Sequence, residues 1–171
     1  MWSTLFAVLG TLAGVALASG TQILTDRRTR AAEQRQRVAD AGGAVLDAVL
    51  DFREQYWLWV SDCRRGEADT KAARVTRYRT RTEVTKARNR LARATADPAL
   101  TAAAEEAAWS AIELSDIELG DADVQTRRFS DDVEAALAAG RERTRVAHTA
   151  LLNALTAHIH RTNPTLEGTN R

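Results

Sequence analysis

The stretch VADAGGAVLDAVLDFREQYWLWV, residues 38–60, decides the fold. Val38, Ala41, Val45, Val49, Phe52, Tyr56 and Trp59 recur at three- and four-residue steps, the period of one face of an α-helix. Leu46, Leu50, Trp57 and Val60 widen that face to the breadth a helix buries when it packs on two neighbours. The pattern predicts a helix over residues 26–65. Gly42-Gly43 is its expected bend, since each glycine costs about 1 kcal/mol in a helix interior relative to alanine. Gly66 is its expected stop, where Arg64 and Arg65 suit the last carbonyls.

The same period continues towards the carboxyl terminus. Across 171 residues there are 33 alanines, nine glycines and two prolines, and β-branched and aromatic residues are sparse, so the chain is expected to be all-α. Residues 64–93 hold eleven basic and three acidic side chains, and residues 97–134 hold eleven acidic and two basic. Between the blocks lies Ala96-Asp97-Pro98, an N-cap followed by a first-turn proline. Helices over 68–96 and 98–119 are therefore expected as an antiparallel hairpin, its basic arm facing its acidic arm across a seam of Ala73, Thr80, Val84, Ala87, Leu91 and Ala94 on one side and Leu100, Ala104, Ala107, Ala111 and Leu114 on the other. Gly120-Asp121 suggests a last break, with Asp121 capping a final helix over 121–161 whose stripe begins at Phe129. The segment 163–171 is expected as a flexible tail. The sum is an elongated bundle or coiled coil of three or four helices, and the absence of a fixed 20–50-residue repeat argues against a solenoid.

Towards the amino terminus, residues 2–25 carry no charged side chain. At 1.5 Å per helical residue they reach about 36 Å, enough for a hydrocarbon layer of roughly 30 Å. The expectation is a single transmembrane anchor over residues 1–25, with Trp2 at one interface and Asp26-Arg27-Arg28-Thr29-Arg30 closing the other. Arg27, Arg28, Arg30, Arg35 and Arg37 follow the span, so the positive-inside rule puts the amino terminus outside, the carboxyl-terminal part in the cytoplasm and the protein in a bacterial inner membrane, with the lipid bilayer as its first partner. A signal peptide cut after Ala16-Leu17-Ala18 and a helix buried in a soluble core are the competing readings; the first lacks a basic n-region, and the second lacks enough apolar surface downstream. Gly10, Gly14 and Ala18 form a small-residue stripe of the kind through which membrane helices pair.

No motif announces catalysis. There is no phosphate-cradling glycine loop, no GxSxG and no HExxH, and the single Cys63 excludes both an internal disulfide and a cysteine-based zinc site. His158 and His160 project about 200° apart on a helix and cannot share one ion without fraying. No metal, cofactor or catalytic residue is expected. Two patches could bind a partner instead. Tyr56, Trp57 and Trp59 form the densest aromatic cluster, read as bundle core or as a protein-docking surface. Arg77, Arg79, Arg81, Arg88, Arg90 and Arg93 of the basic arm could neutralise nucleic-acid phosphates, if the acidic arm leaves them free.

Arginine outnumbers lysine 22 to 2, the usage of high-GC genomes. The opening Met-Trp-Ser-Thr-Leu-Phe-Ala-Val-Leu-Gly-Thr-Leu-Ala-Gly, followed by Thr-Asp-Arg-Arg-Thr-Arg and a charged helical tail, resembles small single-span proteins of actinomycete plasmids and integrative elements, of the KilB-like or plasmid-spread type. The resemblance covers about the first 37 residues. It implies a protein of a mobile element and brings no catalytic residue with it. The functional expectation is a non-enzymatic, membrane-anchored helical scaffold that assembles with itself or with another membrane-associated protein. The alternative is a membrane-tethered protein binding nucleic acid through residues 71–93.

Overall fold

The computed structural model describes residues 2–123 and 125–162, with side-chain surroundings at residue 22, from 25 to 123 and from 125 to 162. The described residues form four α-helices: α1 (Trp2–Arg64), α2 (Lys71–Ala94), α3 (Pro98–Glu113) and α4 (Asp131–Arg161), with a single 3₁₀ turn, Leu114–Asp116, after α3. They divide into two compact units, residues 1–37 and 38–171.

In the first unit the anchor expectation is corrected. Among the described residues no helix is long and apolar enough to cross a membrane. The transmembrane helix over 1–25, its outside-to-inside orientation and the inner-membrane location therefore do not stand. The stretch is diluted by Gly10, Gly14 and Gly20 and by Ser3, Thr4, Thr11, Ser19, Thr21 and Gln22. The side chains described next, residues 25–37, are exposed except for half-buried Arg35. They are held by local contacts such as Thr29 Oγ1 donating to the Thr25 carbonyl at 3.0 Å and the Arg37–Glu33 pair at 3.6 Å. The surroundings of Gly10, Gly14 and Ala18, and the segment 163–171, lie outside what is described.

The second unit is a bundle in which chain neighbours run antiparallel. Gly42 lies against Leu155 and Arg64 against Glu134, which sets α1 against α4. Arg88 and Glu105 pair α2 with α3, and Glu113 with Arg143 pairs α3 with α4. The main core is built from Val45, Val49 and Phe52 of α1, Val84 and Leu91 of α2, Leu100 and Ala111 of α3, and Leu151 of α4, each no more than 2% exposed. Ala104, Ala107, Ala108 and Ala111 give α3 a smooth buried face, which lets its neighbours approach closely. A second cluster holds Tyr56, Val60, Leu114, Leu119, Phe129 and Leu137.

Local chemistry sets most helix ends. Gly66 takes φ +68 after α1, where a side chain would be strained. Thr70 Oγ1 accepts from the Ala73 amide at 3.2 Å to cap α2. Asp97 Oδ1 accepts from the Ala99 and Leu100 amides at 3.0 and 3.3 Å, with Pro98 opening α3.

Three expectations inside the bundle are revised. The helix is unbroken through Gly42-Gly43, and Gly42 is needed instead because a Cβ there would stand 2.7 Å from Leu155 Cδ1. The final helix begins at Asp131, not at residue 121, and the acidic stretch before it is a loop. In that loop Asp123 Oδ1 takes the Gln125 and Thr126 amides at 2.8 and 2.7 Å, and buried Phe129 is in the loop and not on the helix. Between the two arms the mirror-image charge pairing reduces, among the described residues, to Arg88 with Glu105 at 3.7 Å, while Arg64 and Glu134, also from the two blocks, pair at 2.7 Å between α1 and α4. Most of the acidic block lies beyond the end of α3, where Asp123 and Glu134 bind backbone amides.

Candidate functional site

The lengths of α2 and α3 create the site. α2 has 24 residues and α3 has 16. With Arg88 level with Glu105, the end of α3 at Glu113 falls opposite about residue 80 of α2. The first turns of α2 therefore lack an α3 partner, and a groove of about 240 Å³ opens there between α1, α2 and the 3₁₀ turn. Its floor is aromatic, from Phe52, Tyr56 and Trp59, and its rim carries Arg74, Arg77, Tyr78 and Arg81 with Asp69.

The rim has more positive than negative charge. Asp69 Oδ2 accepts from Arg77 at 2.7 Å and lies 3.6 Å from Arg74 Nε. Arg77 is pinned further by stacking over Trp59 with its guanidinium carbon 4.7 Å from the ring centre. One carboxylate thus serves two arginines, and among the described residues Arg79, Arg81, Arg90 and Arg93 have no carboxylate partner. Lys71, Arg74, Tyr78 and Arg81 follow one another at steps of three and four, which puts them on one helix face. Tyr78 is 66% exposed in the middle of that face.

The aromatic cluster is divided by the bundle. Tyr56 is 1% exposed and meets Trp57 and Trp59 edge-on at 5.5 and 5.6 Å. Trp57 is half-buried on the α4 side, under Arg141 at 5.7 Å, and Trp59 is half-buried under Arg77. The structure thus brings Arg77 and Arg81 to Tyr56 and Trp59. It sets Trp57 and Arg88 elsewhere, and Arg79, Arg90 and Arg93 on exposed parts of α2. Tyr78 and Asp69 went unmarked in the sequence reading, although the alternation Arg77-Tyr78-Arg79 was available as a signal.

Burial shifts several titratable groups towards their neutral forms. The Tyr56 hydroxyl is pushed up to about 12, chiefly by burial and secondarily by Cys63, and its oxygen has no hydrogen-bond partner among the described residues. The Cys63 thiol is raised by burial first and by Asp69 second, despite Arg77. His148 is lowered by burial and then by Arg53, itself lowered by burial and by Arg141. His158 Nδ1 lies 2.8 Å from Asp97 Oδ2, tying α4 to the α3 cap, and His160 is exposed. Among the described residues no group of three or more histidine, cysteine or carboxylate side chains is placed to hold a metal ion.

The fold defines an antiparallel helical bundle with a basic-rimmed, aromatic-floored groove. Residues 39–159 match the family described as KilB plasmid transfer protein, and the chain belongs to that family. It is 38% identical over 88 residues to Protein KilB of Streptomyces lividans, a match covering 50% of this chain and 59% of that relative. No solved structure matches. The family match lies in the bundle, whereas the resemblance noted in the sequence lay in the first 37 residues.

Proposed function

We propose that this plasmid transfer family member acts by association and not by chemistry, its bundle serving as a scaffold that pairs with a second copy of itself. The observation carrying this reading is an apolar seam left open on α1 and α4. Leu50 and Leu152 are each 47% exposed, and half-buried Leu46 lies one turn before Leu50 on the same face of α1. With Gly42 against Leu155 and Trp57 against Arg141, the antiparallel register sets Leu46 and Leu50 within a turn of Leu152. Apolar side chains grouped in this way on two neighbouring helices make a surface that another chain can cover. A non-catalytic role is supported by the direction of the shifts at Cys63 and Tyr56: burial disfavours the thiolate and the phenolate, the nucleophilic forms of these side chains.

Sedimentation velocity over a range of concentrations tests this. A concentration-dependent dimer is expected, with Leu50→Glu/Leu152→Glu remaining helical but monomeric. A wild-type chain that stays monomeric at every concentration, or a double variant that still dimerises, removes the reading.

A further inference from the structure

We infer that the first turns of α2 and the groove beside them bind single-stranded nucleic acid, with phosphates taken by Arg74 and Arg81 and a base stacked on Tyr78. Three observations carry this. The first is the underused charge: Arg81 has no carboxylate partner among the described residues, and Arg74 lies 3.6 Å from the same Asp69 Oδ2 that Arg77 already binds at 2.7 Å. The second is Tyr78 itself, whose ring is two-thirds exposed between Arg74, one turn before, and Arg81, one turn after. Exposing that much aromatic surface has no role in the core. An aromatic face flanked by guanidinium groups is what an unstacked base and its two neighbouring phosphates require. The third is the groove, open because α3 ends at Glu113, which continues the face inward past Arg77 to Trp59.

A single strand fits better than the two other polyanions such a face might attract. An acidic peptide would use the arginines and leave Tyr78 without a role. A duplex keeps its bases stacked and offers Tyr78 no ring, so it would engage the exposed Arg79, Arg90 and Arg93 along α2. The tyrosine therefore discriminates among the three.

The test is fluorescence anisotropy with the full chain and a labelled oligothymidylate about 20 nucleotides long at low salt. Binding is expected to fall steeply with salt. Tyr78→Ala should weaken it about tenfold or more while Tyr78→Phe stays close to wild type, because stacking needs the ring and not the hydroxyl. Arg74→Ala and Arg81→Ala should each reduce the salt slope by about one, and Arg143→Ala, on the remote α3–α4 side, should leave it unchanged. Circular dichroism checks that each variant is folded. The inference is overturned by no binding at low salt, by a duplex or polyglutamate binding as tightly as the single strand, or by a folded Tyr78→Ala that binds like wild type.

Discussion

Gly42 and Gly43 are adjacent in one helix but have opposite surroundings, so alanine at each separates packing from helix propensity. A Cβ at Gly42 would stand 2.7, 2.8 and 3.3 Å from Cδ1, Cδ2 and Cγ of Leu155, whereas at Gly43 it would meet nothing within 4 Å. Both substitutions gain the same helix propensity, about 0.8–1 kcal/mol. Gly43→Ala is therefore expected to stabilise the bundle by about 1 kcal/mol and to raise Tm by about 2–4 °C. At Gly42 the added methyl meets both branches of a leucine that is 7% exposed and has little room to turn. Overpacking of that kind costs about 1–3 kcal/mol, leaving a net loss of about 0–2 kcal/mol. The difference between the variants, about 1–3 kcal/mol, measures the α1–α4 contact alone. Guanidinium unfolding followed by far-ultraviolet circular dichroism reads it. Leu155→Ala should also cost less in the Gly42→Ala background than in wild type, because the two sites share one space. If Gly42→Ala stabilised the chain as much as Gly43→Ala, the close approach of α1 and α4 at this level would be refuted.

Other parts of the bundle make separate predictions. Leu151 is fully buried, and Leu151→Ala should lower unfolding free energy by about 2–5 kcal/mol in the same assay. The Asp97 carboxyl is held down to about 2 from its usual 3.8, first by the hydrogen bond from His158, with the Leu100, Arg161 and Ala99 donors adding to it. Its contribution is fully present above pH 3.8 and is lost as pH falls towards about 2, so acid unfolding of Asp97→Ala should be flatter across that window than that of wild type. Tyr56 shifts the other way: its contribution is present below pH 10 and lost as pH rises through about 12. Tyr56→Phe should remove that alkaline loss and match or exceed wild-type stability at neutral pH, because it deletes a buried hydroxyl that has no partner. Glu134 Oε1 accepts from the Phe129 amide at 3.1 Å and Oε2 from Arg64 at 2.7 Å, so Glu134→Ala should speed hydrogen exchange at Phe129 and at the loop it anchors.

What a single sequence reveals here depends on how local the cause is. The all-helical class is legible because Val38, Val45, Val49, Phe52 and Tyr56 declare one buried face through spacing alone, and all five are buried. Gly66 and Asp97-Pro98 are legible for a similar reason: a positive φ and an N-cap are properties of one or two residues. The role of Gly42 was not legible, because its cause is Leu155, more than a hundred residues away. Phe129 misled because an apolar residue four before Val133 in a helical stripe looks the same whether it is on the helix or is tucked beneath it by a loop. The leading stretch misled for a different reason: a run without charge sets a length, while crossing a membrane also demands sustained apolarity.

The charge blocks were counted correctly and still gave the wrong contact, and the reason bears on function. Pairing two oppositely charged arms requires their charges to fall on facing sides at matching heights. α3 carries only Glu105, Glu106 and Glu113, of which Glu105 approaches Arg88 and Glu113 turns to Arg143 on α4. The other carboxylates of the block fall at the α3 cap, after the end of α3, in the loop or in the first turn of α4. There Asp97, Asp123 and Glu134 accept from backbone amides, partners that compete well because they are fixed close by. Arg79, Arg81, Arg90 and Arg93 of α2 consequently acquire no carboxylate partner among the described residues. A charge that folding leaves unmatched on a rigid helix is available to an external anion at no cost of breaking an internal pair. Reversing that condition gives the decisive variant. With Glu at position 78, Tyr78→Glu would place a carboxylate one turn from both Arg74 and Arg81 and supply the missing internal partner. It should leave the fold intact, tighten α2 slightly through these pairs by about 0.3–0.5 kcal/mol each, and abolish oligonucleotide binding. Undiminished binding by that variant, measured by anisotropy at low salt, would mean that the free arginines of this face are not where the anion sits.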